Sequence, residues 1–344
     1  MICIFDSLNL KKYCKKIIKV KDFSNKIILK YVNSIDPKKT MKILIGSGFA
    51  EKINENKIIS SRRNFGNNLK VFDSINNPKD FFKKLEEGRV QYPKILFQKP
   101  KSNFWLKKSS KSIGGQLVDF SDKNTLKDSD QVYFQEIIKG KLCSVQFFTK
   151  EEKVSILSIC SIQTCKSKNR PFLLKGITTK IITKDYYKKI RKLCIKVSNI
   201  FKLNGINNID FIMKKERSEK IFVLEINPRP GLSTKIISQK LKKIMLDSSH
   251  ISLEKYDSPS FQSTQIIYAK DRFLVKKNIY EYFRDLSKSK IFSELPKKND
   301  VIYKGNPICL IHLTSRKNKN LNEKIKKISI KIQNDLKSLN LLCQ

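Results

Sequence analysis

Apolar residues in this chain come in short runs broken by Lys, Asn, Ser, Gly and Pro, and that spacing decides what it can fold into. No run approaches the roughly eighteen apolar residues a membrane-crossing helix needs. The N-terminus, Met1-Ile2-Cys3-Ile4-Phe5-Asp6, meets an acid at once and lacks a basic segment before an apolar stretch, so no signal peptide is expected. In the first hundred residues, Met1–Phe5, Lys26–Val32, Lys42–Gly46 and Lys70–Phe72 read as strands, and Leu10–Ile18 and Asn77–Glu87 as helices. Such β/α alternation predicts a parallel, doubly wound unit. The polar stretch Gln98–Asn103 reads as a linker.

The texture then changes. Phe104–Lys108 reads as a strand, Ser109–Gly115 as a Gly/Ser/Lys loop and Gln116–Phe120 as a strand. After a polar turn at 121–130, Val132–Ile138, the Lys139-Gly140-Lys141 turn and Leu142–Thr149 read as a hairpin-like pair. Val154–Gln163 follows as a strand, with a loop through Asn169-Arg170-Pro171. Tyr186–Phe201 carries a helical stripe (Ile190, Leu193, Cys194, Val197, Phe201) that Gly205 is expected to end. Asn208–Met213 and Ile221–Ile226 read as strands flanking a charged turn, closed by Asn227-Pro228-Arg229-Pro230-Gly231. Beyond Pro259, Gln265–Ala269 and Pro307–Leu313 read as strands, and Leu321–Leu339 as a helix with Ile325, Ile328, Ile332 and Leu336 on one stripe.

The chain carries 72 Lys+Arg against 31 Asp+Glu over 344 residues, a net charge of +41 that invites a nucleic-acid reading. Only ten of the bases are Arg, the residue that grips phosphates and guanine edges in a bidentate way. The lysines are spread through every segment alongside abundant Ile, Asn and Ser, all with A/T-rich codons. Drift in base composition therefore accounts for the charge better than a dedicated nucleic-acid surface. The eight cysteines form no CxxC pair, and with only His250 and His312 in the chain a zinc site is not expected. They read as small core residues of a protein in a reducing cytosol.

The sharpest local feature joins Asp210, on one apolar strand, to Glu225-Ile226-Asn227 at the end of the next. Glu225 and Asn227 are two apart, so an extended strand turns both to one face, and a hairpin would bring Asp210 to them. Two carboxylates and an amide oxygen suit Mg²⁺ that keeps phosphate oxygens in its shell. The same residues also fit an ordinary hairpin ending in a Pro-Gly turn. Upstream, Lys107-Lys108 feeds a small-residue loop, Ser109 to Gly115, whose backbone N–H groups can face phosphates, although the Walker spacing is absent.

The order of these pieces resembles the ATP-grasp ligases. A lysine strand with a Gly loop comes first, then Gln135-Glu136-Ile137-Ile138-Lys139-Gly140, then Asp210-Phe211-Ile212, then Glu225-Ile226-Asn227-Pro228-Arg229-Pro230-Gly231. Gly46-Ser47-Gly48-Phe49, Phe65-Gly66-Asn67, Trp105-Leu106-Lys107-Lys108 and Gly305-Asn306-Pro307-Ile308-Cys309 are similar to the predicted ATP-dependent carboligases distantly related to biotin carboxylase. The resemblance implies an α/β and α+β chain: an ATP-grasp fold with a shortened N-terminal Rossmann-like pre-ATP-grasp domain. It places that domain at 1–98, the ATP-grasp domain at 99–250, and at 251–344 a C-terminal part that completes it.

The resemblance also implies an ATP-dependent ligase that activates a carboxylate as an acyl phosphate and joins it to an amine, in small-molecule or cofactor biosynthesis. Lys108 would hold the ATP phosphates, and Ser112, Gly114 and Gly115 would form the phosphate lid. Gln135, Glu136 and Ile138 would line the adenine. Asp210, Glu225 and Asn227 would bind Mg²⁺, with Mn²⁺ as a substitute, and Arg229 would steady the acyl-phosphate transition state. Partners are then a small carboxylate and an amine, with no membrane or nucleic acid, a homodimer as an open option, and a cytoplasmic location. The second reading is a non-catalytic ATP-grasp-like or basic nucleic-acid-binding protein. Two departures bear on the site: Leu142 stands where relatives place a ribose-binding acid, and Lys235 where they often place an acid after the Asn-Pro-Arg turn.

Overall fold

The computed structural model describes residues 1–4, 6–8, 10–12, 14–51, 62–102, 104–110, 112–122, 132–167, 170–214, 220–237 and 260–341. Phe5, Asn103, Lys111, most of the 121–130 turn, Asn169, the charged turn before Lys220, His250 and Cys343 lie outside them. The chain divides into two compact units, one of Met1–Tyr31, Lys175–Thr178 and Asp257–Gln344, the other of Val32–Leu174 and Thr179–Tyr256. Among the described residues no helix is long and apolar enough to cross a membrane.

At the N-terminus, β1 (Ile2–Cys3) pairs in parallel with β2 (Ile18–Lys19), and α1 spans Asn25–Ile35. Only part of the expected alternation forms. Lys26–Val32 is helical: Ile28, Tyr31, Val32 and Ile35 recur at helical spacing, and the turn that buries Ile28 satisfies them better than a strand. Leu10–Ile18 keeps one 3₁₀ turn at Leu10–Lys12, and Lys42–Gly46 contributes one parallel bridge, Ile43 to Asn64. Lys70–Phe72 lies inside α2 (Leu69–Asn76), because the Asn68 side chain caps it by accepting from the Val71 N–H. Next, α3 (Pro78–Glu87) has Asn77 as cap and Pro at its first position, the start expected of it.

The larger unit holds two sheets. One contains β3 (Ile95–Leu96), β4 (Trp105–Ser109), β5 (Val118–Phe120) and β6 (Val132–Glu136), in the order β3-β6-β4-β5. The second takes β7 (Lys141–Lys150), β8 (Lys153–Ser167) and, later in sequence, β10 (Gly205–Lys214) and β11 (Lys220–Asn227); β9 (Arg170–Thr179) follows β8 along the chain. β6 and β7 are therefore not a hairpin. Glu136 ends one sheet and Lys141 begins the other, so Lys139-Gly140 carries the chain between them. Gly140 packs so closely on β10 that a Cβ there would lie 2.3 Å from Ile212 Cγ2 and 2.7 Å from the Met213 carbonyl.

Helix α4 (Lys184–Phe201) starts at Thr183, whose side chain accepts from the Tyr186 N–H. It ends at Lys202 in a left-handed conformation, three residues before the expected Gly205, which instead opens β10 (Gly205–Lys214). Its buried stripe (Ile190, Cys194, Val197, Phe201) packs with Val145, Phe147, Ile156, Phe211 and Val223 of the sheet and with Phe81, Phe82 and Leu85 of α3. Each such side chain contributes roughly 1.5–3 kcal/mol on burial. β11 (Lys220–Asn227) lies antiparallel to β10.

In the smaller unit, β12 (Phe261–Tyr268) pairs with Gly176–Thr178 of β9. β13 (Phe273–Leu274) pairs with β15 (Val301–Ile302), α5 spans Lys277–Leu286, and β14 (Phe292–Ser293) edges β16 (Pro307–Ser315). α6 (Asn318–Leu341) lays Ile332 and Leu336 into a core with Ile279, Phe283 and Ile311. His312 is fully engaged, Nδ1 against Thr264 Oγ1 and Nε2 against Ser293 Oγ. Cys143, Cys160, Cys194 and Cys309 are buried, and burial pushes the Cys160 and Cys309 thiols up to about 12.

Candidate active site

The register of β10 against β11 sets Asp210 directly opposite Glu225. A bulge follows: Phe211 pairs with Val223, leaving Leu224 as the extra residue and re-aiming the end of β11. Asn227 turns toward Glu225, its Nδ2 donating to Glu225 Oε1 at 3.2 Å. Two carboxylates side by side repel. Burial first, then the charge of Glu225, drive the Asp210 pKa well above its ordinary range, although the Ser144 hydroxyl and Arg229 oppose the rise. Asp210 Oδ1 is buried with no hydrogen-bond partner. A carboxylate pair with an unsatisfied oxygen is a set of hard donors suited to a divalent cation.

Lys108 reaches this pair from β4. Its side chain is buried, its Nζ donates to Gln135 Oε1 at 3.3 Å and sits 5.8 Å from the Tyr133 ring centroid. Burial alone would lower its pKa, but Tyr133, Glu225 and Asp210 outweigh it and hold the ammonium above the ordinary lysine value. Lys107 alternates to the other face of the strand and is buried as well. Beyond β4, the loop is pinned at three points. Ser112 Oγ accepts from the Leu117 N–H at 3.1 Å, the Gly114 carbonyl accepts from the Leu174 N–H at 2.9 Å, and Gly115 has φ +75° with no room for a Cβ, which would lie 2.0 Å from the Phe172 carbonyl oxygen.

Arg229 follows Pro228 and is nearly buried. Its Nη2 donates to Asn227 Oδ1 at 3.0 Å and, with Nε, to Glu51 Oε1. Glu51 lies far upstream, at the end of Gly46-Ser47-Gly48-Phe49-Ala50. A second anchor comes from Asn67, also upstream, whose Nδ2 donates to the Pro228 carbonyl at 2.9 Å and to Asn207 Oδ1 at 2.7 Å.

A cleft open to solvent is walled by Lys108, Ser112, Tyr133, Glu225, Asn227 and Arg229, with Glu51 and Phe72. Asp210 stands behind Glu225, and Gln135 behind Lys108 with its buried Nε2 unpartnered. Gly114 and Gly115 shape the loop without walling the cleft. Glu136 and Ile138 lie off its wall. The Glu136 side chain is exposed and accepts from the Lys94 N–H at 3.2 Å, while its own N–H donates to the Lys94 carbonyl at 2.9 Å. Leu142 pairs with Ile212 in the sheet, and Lys235 is exposed. The sequence reading did not single out Glu51 or Ser144, and it gave Asn67 and Tyr133 no role of their own. For Glu51 a signal existed, an acid closing a glycine-rich turn in so basic a chain.

Residues 75–233 match the ATP-grasp domain family. That stretch, just under half of the chain, is what is similar to the ATP-grasp domain. The chain is 24% identical over 278 residues to the Uncharacterized protein MJ0776 of Methanocaldococcus jannaschii, a match covering 78% of this chain and 63% of that one. The chain thus spans less than two thirds of that relative's length. Among solved structures it superposes on L-amino acid ligase from Bacillus licheniformis with a TM-score of 0.66 at 12% identity, covering 91% of this chain and 85% of that one. On carboxyaminoimidazole ribonucleotide synthase from Aspergillus clavatus complexed with ATP, the TM-score is 0.68 at 11% identity, covering 97% and 91%. At such identities these structures establish the shared fold.

Proposed function

We propose that this protein is an ATP-dependent ligase that phosphorylates a carboxylate with Mg·ATP and joins the acyl group to an amine, releasing ADP and phosphate. The observation that carries this reading is the convergence of Lys108, Glu225, Asn227 and Arg229 on one cleft, with Asp210 behind Glu225 and its Oδ1 buried without a hydrogen bond. The ligases and the ATP complex among its structural neighbours support it.

Asp210, Glu225 and Asn227 fit a Mg²⁺ or Mn²⁺ ion. Two carboxylates and an amide leave much of a six-oxygen shell to be filled, which matches an ion arriving on phosphate oxygens. Such an ion would neutralise charge on the transferred phosphoryl group. Lys108 contributes a fixed point charge to the phosphates, kept protonated by its surroundings. Gln135 holds Lys108 in place, and the loop of Ser112, Gly114 and Gly115 closes over the phosphates. Gln135, Glu136 and Ile138 serve the adenine through the strand end at the hinge. Arg229 faces the carboxylate side and offsets charge as the carboxylate oxygen takes the phosphoryl group. The amine nitrogen then attacks the acyl carbon, phosphate leaves with the C–O bond pair, and the amine gives up a proton. In this reading residues 1–98 form the pre-ATP-grasp part, 99–250 the ATP-grasp core and 251–344 the part that completes it.

The test is ADP and phosphate release with Mg·ATP and pools of amino acids and amines, with the product identified by mass. The expected product is an amide whose appearance tracks ADP. Glu225→Ala is expected to remove turnover by at least about 10²-fold while the protein stays folded. Turnover that survives Glu225→Ala contradicts the site.

A further inference from the structure

We infer that Glu51 is the positioning residue that sets Arg229 for catalysis, so that the segment ahead of the ATP-grasp domain is part of the reaction machinery. This rests on the reading of Arg229 given above. A guanidinium has five N–H donors, and the described residues engage four of them. Nε and one Nη2 N–H go to Glu51 Oε1, the other Nη2 N–H to Asn227 Oδ1, and one Nη1 N–H to the Pro230 carbonyl at 3.3 Å. Among the described residues the second Nη1 N–H has no acceptor, and it is the one open to a ligand. Arg229 is thus a directed donor with a single open position.

Glu51 is itself fixed. Its Oε2 accepts the Gly48 N–H at 2.6 Å, so each carboxylate oxygen has its own partner. Its neighbour Ala50 is held by the Asn76 side chain, which donates to the Ala50 carbonyl at 3.0 Å. Both members of the ion pair have side chains 10% exposed. A pair this buried adds little net stability over an apolar substitute, so its value lies in direction. Asn67 gives the same turn a second hold through the Pro228 carbonyl, and is in turn held by the Asn204 N–H at 2.7 Å. Two upstream stretches, Gly46–Glu51 and Phe65–Asn67, therefore meet the Pro228–Arg229 turn from separate points.

The test compares wild type, Glu51→Ala and Glu51→Gln in ADP release at saturating Mg·ATP, using the carboxylate pool and hydroxylamine as the amine, with hydroxamate as the trapped product. Glu51→Ala is expected to lower kcat by about 10²-fold, with the KM for ATP changed less than about threefold. Glu51→Gln keeps an acceptor for Nε and Nη2 and is expected to recover to within about tenfold of wild type, while remaining at least threefold below it. The folded fraction and melting temperature of each variant, read by circular dichroism, separate positioning from general destabilisation, which would lower apparent kcat in step with the folded fraction. If Glu51→Ala does not fold, Glu51→Gln decides alone, and a wild-type kcat in it overturns the inference. A Glu51→Ala enzyme as fast as wild type, or faster, also overturns it, the latter showing that Glu51 blocks Arg229. A wild-type protein that releases no ADP overturns the reading of the site itself, and this inference with it.

Discussion

Asp210 and Glu225 occupy directly opposed positions on paired strands, where like charges repel most strongly. Burial and Glu225 raise the Asp210 pKa above its unfolded value near 3.8. The folded state therefore binds more protons than the unfolded chain above that value. Stability contributed by the protonated form is present at low pH and falls as pH rises toward and through the raised folded pKa. Removing the charge removes the loss: metal-free Asp210→Asn is expected to melt several degrees above wild type at pH 8, with the gap closing toward pH 4. Mg²⁺ should raise the wild-type melting temperature and leave the variant unmoved. Thermal unfolding across pH with and without Mg²⁺ reads both, and a variant less stable than wild type at pH 8 would contradict the strained pair. The pairing was legible because Glu225 and Asn227 stand two apart on a strand. The tie of Glu51 to Arg229 was not, since no local spacing links residues 178 positions apart.

Among elements, the loop after β4 depends on its glycines. Gly115 combines a positive φ with backbone contact to Phe172, and both forbid a side chain. Gly115→Ala is expected to shift the loop off β9 and raise the KM for ATP about tenfold or more, with a smaller effect on kcat. Steady-state kinetics separates the two, and an unchanged KM would remove the loop from nucleotide binding. Strands β10 and β11 and helices α3, α4 and α6 were readable from periodicity over long stretches. The failures are short and physical. Lys26–Val32 and Lys70–Phe72 carry clusters of apolar residues that fit either period, and the Asn68 cap and burial of Ile28 decided for helix. The β6–β7 turn looked like a hairpin because sequence shows neighbours along the chain. That these strands pair with β4 and β10 is a tertiary choice.

For the whole molecule, the +41 charge is a background against which a few acids do specific work. Asp210 and Glu225 form the half-buried carboxylate pair and Glu51 pairs with Arg229, and in the proposed function so basic a chain would draw in an anionic nucleotide and carboxylate from a distance. The central claim is that this cleft holds Mg·ATP. Calorimetric titration with the non-hydrolysable analogue AMP-PNP tests it most directly. One site per chain is expected, dependent on Mg²⁺ and weakened at least tenfold by Lys108→Ala or Glu225→Ala. Binding that ignores Mg²⁺ and both substitutions, or no binding at all, would contradict the account.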